Sequence, residues 1–180
     1  ISDLENTISK KTSLVSVMFG NNEVGTIQPI QKIAKICHEK QIIFHTDAVQ
    51  AVGKIPVDIK ELDVDLLSIS SHKIHGPKGI GALYIKDGVK IDPMILGGGQ
   101  EFRLRSGTEN VANIVGFGQA CEIAQNHLDE NISLIKKLQS QLIKKVLDEI
   151  PQVTFNGHVE SRLDNNAHFT FLGVNGEDLI

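Results

Sequence analysis

The sequence predicts an α/β fold in which helices flank a mainly parallel sheet. Short apolar runs of β type alternate with helical patterns through the first half, turn-forming residues border each run, and the spacing leaves room for crossover helices. Residues 14–19 (LVSVMF) read as the first strand, stopped by Gly20-Asn21-Asn22. Pro29 suits the first turn of a helix, and Ile30, Ile33, Ala34 and Cys37 then recur at helical spacing. Residues 42–45 (IIFH) are a second strand, followed by Thr46-Asp47-Ala48-Val49-Gln50. Residues 64–69 (VDLLSI) are a third, running into Ser70-Ser71-His72-Lys73, and residues 80–85 (IGALYI) follow the loop Gly76-Pro77-Lys78-Gly79.

Beyond the bend at Gly97-Gly98-Gly99 the character changes. Residues 110–127 and 133–150 read as helices. In the second, Leu134, Leu138, Leu142, Val146 and Ile150 make an i+4 stripe, backed by Ile135, Ile143 and Leu147, of the kind that faces a core. Residues 153–155 and 168–172 look like strands. The handover of one helix to the next near residue 128 divides an α/β unit, 1–127, from a smaller α+β unit, 128–180.

Charge and composition exclude several function classes. The 180 residues carry 18 Lys and Arg against 22 Asp and Glu, a net charge of -4, so the basic footprint of a nucleic-acid binder is missing. No apolar run approaches the roughly 18 residues of a membrane-spanning helix, and the first residues lack the pattern of a signal peptide. Cys37 and Cys121 are too few for a disulfide framework or a zinc site, which points to a reducing, cytoplasmic-type compartment. The histidines show no paired metal-ligand spacing, so no metal is expected. Ile1 in place of Met, and an apolar element starting at the last residues, point to an internal piece of a longer chain.

In open α/β sheets, reactive groups gather beyond the carboxyl ends of the strands. That rule selects Asn21-Asn22-Glu23, then Asp47 with Gln50, then Ser70-Ser71-His72-Lys73. A carboxylate after one strand and a lysine after another, with hydroxyls and an imidazole beside it, is the set that pyridoxal phosphate requires. The lysine forms an imine, the acid keeps the pyridine nitrogen protonated, and small donors hold the phosphate. Solvated loop ends are the alternative, Lys78 competes with Lys73, and Asp47 also suits a helix N-cap. Gly97 to Gly99 lacks the Lys-Ser/Thr of a phosphate-binding P-loop and reads as a bend near the site.

These residues sit in long, ordered motifs. HTDAVQAVGKIPVDIKELDVDLLSISSHKIHGPKGIGALYI (45–85), NNEVGTIQPI (21–30) and GGGQEFRLRSGTENV (97–111) resemble stretches of the NifS/IscS-type cysteine desulfurases. Those are fold type I pyridoxal phosphate enzymes of the class-V aminotransferase family, and the resemblance extends over nearly the whole chain. It implies that residues 1–127 are the second half of the cofactor-binding large domain and that 128–180 begin the small C-terminal domain. It makes Lys73 the Schiff-base lysine and Asp47 the partner of the pyridine nitrogen. Gln50 would hydrogen-bond the ring hydroxyl, and Asn22 would be a further cofactor contact. Ser70 and His72 would be phosphate-side ligands, with Ser71 between them a further cofactor-binding residue through backbone and hydroxyl contacts. Thr108 would reach the cofactor phosphate of the neighbouring subunit, which implies a homodimer.

The implied reaction takes L-cysteine to L-alanine. Sulfur passes as a persulfide to an acceptor, such as an iron–sulfur cluster scaffold or a tRNA-thiolating enzyme. The family's persulfide cysteine and its substrate-carboxylate arginine lie beyond residue 180, leaving Arg103 and Arg105 as surface or dimer-contact residues. Cys37 and Cys121 both fall inside helices and read as packing residues, so this stretch alone is expected to be inactive, and the resemblance implies missing cavity walls that would make it a poor cofactor binder. A selenocysteine lyase or an aminotransferase on the same fold, and a non-catalytic interaction piece, are the alternatives.

Overall fold

The computed structural model describes residues 1–179. A short helix, α1 (Ser2–Thr7), precedes β1 (Leu14–Met18), α2 (Ile30–Glu39), β2 (Ile43–Asp47), the single-turn α3 (Ile59–Leu62) and β3 (Leu66–Ser70). A 3-10 turn over Ser71–Ile74 leads to β4 (Gly81–Ile85). The long helices α4 (Val111–Asn126) and α5 (Leu128–Glu149) and the short strands β5 (Val153–Phe155) and β6 (Phe169–Phe171) follow. The sheet order is β1-β2-β3-β4, with the first three parallel and β4 antiparallel, while β5 and β6 form a separate antiparallel pair. The mainly parallel α/β expectation therefore holds.

The spacing of apolar residues explains the layers. Ile30, Ile33, Ala34 and Cys37 share one face of α2, all buried, against Val15 of β1 and Phe44 of β2. Along β2 burial alternates, so Phe44 and Thr46 point into this core while His45 and Asp47 lie on the opposite face. Asp65 then couples β2 to β3. It is a buried residue whose carboxylate accepts the Phe44 N–H at 2.8 Å, while its own N–H donates to the Phe44 carbonyl at 3.1 Å. His38 of α2 reaches the same carboxylate at 3.1 Å, which ties the helix to the strand pair.

Some elements differ from their sequence-based expectation. Strand β2 runs on to Asp47 because Met18, Asp47 and Ser68 continue the parallel ladder. Pro29 is the N-cap of α2 rather than its first helical residue, and α5 starts at Leu128, five residues early, with Asp129 and Glu130 favouring its positive end. The apolar stripe of α5 is not covered by the described residues: Leu134, Leu138 and Leu142 are each about half exposed. Helix α5 is held instead by its packing on β5 and by Gln139, whose Nε2 donates to the carbonyls of Leu163 and Asn166 at 3.0 and 2.6 Å.

The segment after β5 returns to the turn behind β1. Leu163, 2% exposed, donates its N–H to the Gly25 carbonyl at 2.9 Å, and the Asn166 side chain donates to the Glu23 carbonyl at 2.7 Å. A Cβ on Gly20 would stand 2.8 Å from the Leu163 side chain, so the absence of a side chain there is what lets the segment close on the turn. The largest buried side chain is Phe44, with no exposed surface. Phe44→Ala is expected to lower stability by about 3–5 kcal/mol, seen as a fall in urea midpoint at unchanged slope. Lys35→Ala, on the exposed side of α2, should move it by less than about 0.5 kcal/mol.

Candidate active site

Three parallel strands deliver their following residues to one edge of the sheet. Asn22 lies in the turn after β1, Asp47 is the last residue of β2, and Ser70 to Lys73 end β3 and form the turn beyond it. The ladder pairs Met18 with Asp47 and Asp47 with Ser68, so the three groups are neighbours by register. This is the carboxyl edge where open α/β sheets place ligands.

Each side chain is presented differently. One oxygen of Asp47 accepts the Val49 N–H at 2.9 Å, which orients the carboxylate; the other has no hydrogen bond among the described residues. The capping role open to Asp47 on sequence grounds thus uses one oxygen and leaves one outward. Lys73 is exposed and makes no hydrogen bond or ion pair among the described residues. It lines a cavity of about 370 Å³, together with Lys54, Gly76 and residues of α4, whereas Lys78 does not. Ser70 Oγ and His72 Nδ1 lie 2.9 Å apart on the exposed side of the 3-10 turn. Asn22 is exposed, because its neighbour Asn21 does the work of shaping the turn, accepting the N–H groups of Glu23 and Val24 at 2.9 and 2.8 Å.

Two candidates are placed apart from this set. Ser71 has no exposed surface, its N–H donates to the Ile80 carbonyl at 3.1 Å, and its Oγ is buried without a partner among the described residues. A Cβ on Gly76 would fall 2.2 Å from that oxygen, so the turn closes over Ser71 only because residue 76 is glycine. Thr108 is exposed between Ser106 and Asn110, the N-cap of α4, and makes no hydrogen bond among the described residues. The triglycine stretch lines a second cavity of about 320 Å³ with Arg103 and Ser106, and Ser106 Oγ donates to the Gly98 carbonyl at 2.8 Å.

Two residues escaped the sequence reading. Lys54 Nζ donates to Gln50 Oε1 at 2.6 Å, and its i+4 spacing from Gln50 was the available signal. Burial first, and the neighbouring Lys73 cation second, push the Lys54 ammonium below its ordinary value. His45 stands between Ser16 Oγ at 2.7 Å and Ser68 Oγ at 3.1 Å, a row across three strands that only the register discloses. Burial pushes its imidazole down, and the nearby Asp47 carboxylate draws it partly back.

Comparison with known proteins assigns the family. The aminotransferase class-V family model matches residues 1–180. The chain belongs to the aminotransferase class-V family. A "Cysteine desulfurase IscS" of Clostridium botulinum is 50% identical over 182 residues, taking in 100% of this chain and 46% of that protein. The protein of the same description from Methanosarcina thermophila is 52% identical over 178 residues, with 99% and 44% covered. A solved structure described as a NifS-like protein superposes with a TM-score of 0.93 at 43% identity, covering 99% of this chain and 49% of its own. DndA from Streptomyces lividans gives 0.87 at 31%, covering 98% and 50%. The chain spans about half the length of the class-V relatives it matches. No helix among the described residues is long and apolar enough to cross a membrane.

The lowered His45 pKa sets a sign for pH dependence. The unfolded chain takes up the His45 proton near pH 6.5, while the folded chain resists until lower pH, so folded stability falls as pH drops below about 6.5. Urea titrations at pH 7.5 and at pH 5 should show this loss, and His45→Gln should make it smaller. Equal losses in both proteins would contradict the assignment.

Proposed function

We propose that this chain supplies the pyridoxal phosphate site of a cysteine desulfurase that converts L-cysteine to L-alanine and passes the sulfur on as a persulfide. The observation that carries this reading is the convergence of Asp47 and the Ser70-to-Lys73 turn at the carboxyl ends of adjacent parallel strands. The donor set fits the cofactor: an amine and a carboxylate oxygen without partners among the described residues, an amide, and an exposed hydroxyl–imidazole pair. Relatives described as cysteine desulfurases, about half identical to this chain, support the choice of reaction.

Pyridoxal phosphate, when bound, supplies an aldehyde and an electron sink. Lys73 would be the amine that holds the cofactor through its aldehyde, and the same amine would be the base for the proton at the substrate α-carbon. The free oxygen of Asp47 holds the proton on the ring nitrogen. Gln50 donates to the ring hydroxyl oxygen, and Asn22 is a further contact. Ser70 and His72 donate to the phosphate, and Thr108 of a second copy completes it, which makes the enzyme a homodimer. Ser71, enclosed beneath Gly76, shapes the turn from below.

The sulfur acceptor is a thiol outside these residues. Cys37 is fully buried and Cys121 half-buried, and burial raises both thiols, which suppresses the thiolate a persulfide carrier needs. Residues 1–127 then belong to the cofactor domain and 128–180 to the start of a smaller one, consistent with their separate sheets. The enzyme acts in the cytoplasm and hands sulfur to an iron–sulfur scaffold or another acceptor protein. By itself this chain is inactive.

Borohydride reduction of the full-length protein loaded with pyridoxal phosphate, followed by peptide mass spectrometry, tests the reading. The adduct is expected on Lys73, absent from Lys73→Ala and retained in Lys78→Ala. Alanine formation from L-cysteine should fall by at least about a thousandfold in Lys73→Ala, within the range of removing a covalent and general-base group. An adduct on Lys78, or none, contradicts it.

A further inference from the structure

We propose that Lys54 is a positioning residue of this site, locking the Gln50 amide with its nitrogen turned toward the ring hydroxyl oxygen of the cofactor. The inference rests on the reading above and adds a residue to it.

The geometry begins in the backbone. After β2 the chain makes two consecutive tight turns over 48–55, in which the Val52 N–H donates to the Ala48 carbonyl at 3.0 Å and the Ile55 N–H to the Ala51 carbonyl at 3.0 Å, with Gly53 between them at a φ of 74°. The left-handed residue at Gly53 reverses the chain and brings Lys54 back beside Gln50. The Lys54 ammonium meets the Gln50 side chain at 2.6 Å. An ammonium has donors and no acceptor, so the amide atom facing it must be the carbonyl oxygen. The two ends of a planar amide point apart, and with Oε1 held by Lys54 the Nε2 group is left to donate elsewhere. An amide free to rotate would also present its oxygen to the anionic ring oxygen, a repulsive contact. Lys54 prevents that by a charge-assisted hydrogen bond.

Lys54 also lies near Lys73. It lines the same cavity as Lys73, and both lysines border Gly76 there. A solvent-exposed lysine would hold its partner weakly, since water competes for both groups. This one is partly buried.

The test uses the full-length protein loaded with pyridoxal phosphate, with two readouts apart from turnover: cofactor affinity and the pH midpoint of the bound cofactor's visible absorbance. Lys54→Met should weaken cofactor binding roughly tenfold, the loss expected for a hydrogen bond to a charged group, and shift the absorbance midpoint. Lys54→Arg keeps a cationic donor and should retain both wild-type values. In a Gln50→Ala background, Lys54→Met should have no further effect, because Lys54 acts through Gln50.

Additive effects of the two substitutions would overturn the proposal and assign Lys54 a direct charge effect on Lys73. A Lys54→Arg protein displaced as far as Lys54→Met, or a Lys54→Met protein with unchanged affinity and midpoint, would overturn it as well. If the wild-type protein takes no cofactor on Lys73, the underlying reading fails. If it does and the double substitution is additive, this inference alone fails.

Discussion

The site depends on the register between β2 and β3. A slip of one residue would carry Asp47 to the core face and Phe44 to the other, since side chains alternate along a strand. Two features hold the pairing. Phe44 fills the core beneath α2 with no exposed surface, and the Asp65 carboxylate takes the Phe44 N–H at 2.8 Å as β3 begins. Asp65 is in turn steadied by His38. Apolar burial sets which face of β2 is inside, and this one buried carboxylate sets the position along it.

From that register the chemistry follows in steps of a few residues. Asp47 ends β2 opposite Ser68, and the chain beyond Ser68 needs only five more residues to reach Lys73. Hydrogen bonds within the chain then divide the donors. Asp47 spends one oxygen on its own turn, Gln50 spends its carbonyl on Lys54, and Ser70 and His72 share a contact at 2.9 Å. What remains without a partner among the described residues is a carboxylate oxygen of Asp47, the amide nitrogen of Gln50 and the amine of Lys73. The turn after β1 is held from the far end of the chain by Leu163 and Asn166, so the position of Asn22 relies on the segment between β5 and β6.

Much of this was legible in the sequence because it rests on local rules. Apolar runs bordered by turn residues locate β1 to β4, the strand-end rule selects Asp47 with Gln50 and the Ser70-to-Lys73 stretch, and the resemblance separates Lys73 from Lys78. Other features were hidden for physical reasons. The row Ser16–His45–Ser68 exists only once three strands pair, and no spacing along the chain announces it. The burial of Ser71 depends on how closely Gly76 approaches, a tertiary fact. Lys54 was visible as an i+4 neighbour of Gln50, yet the turn carrying them is too short to stand out as a helix. The stripe of α5 has helical periodicity, but periodicity does not name the surface that covers it, and within this chain Leu134 and Leu138 stay half exposed.

The central claim is that Asp47 and Lys73 serve opposite sides of one heterocycle. The most direct test is nitrogen NMR of the full-length protein loaded with pyridoxal phosphate labelled at the ring nitrogen and attached through Lys73. The account predicts a protonated ring nitrogen at neutral pH in the wild type, and a neutral pyridine in Asp47→Ala with the attachment intact. A ring nitrogen that is unprotonated in the wild type, or equally protonated without Asp47, would contradict it.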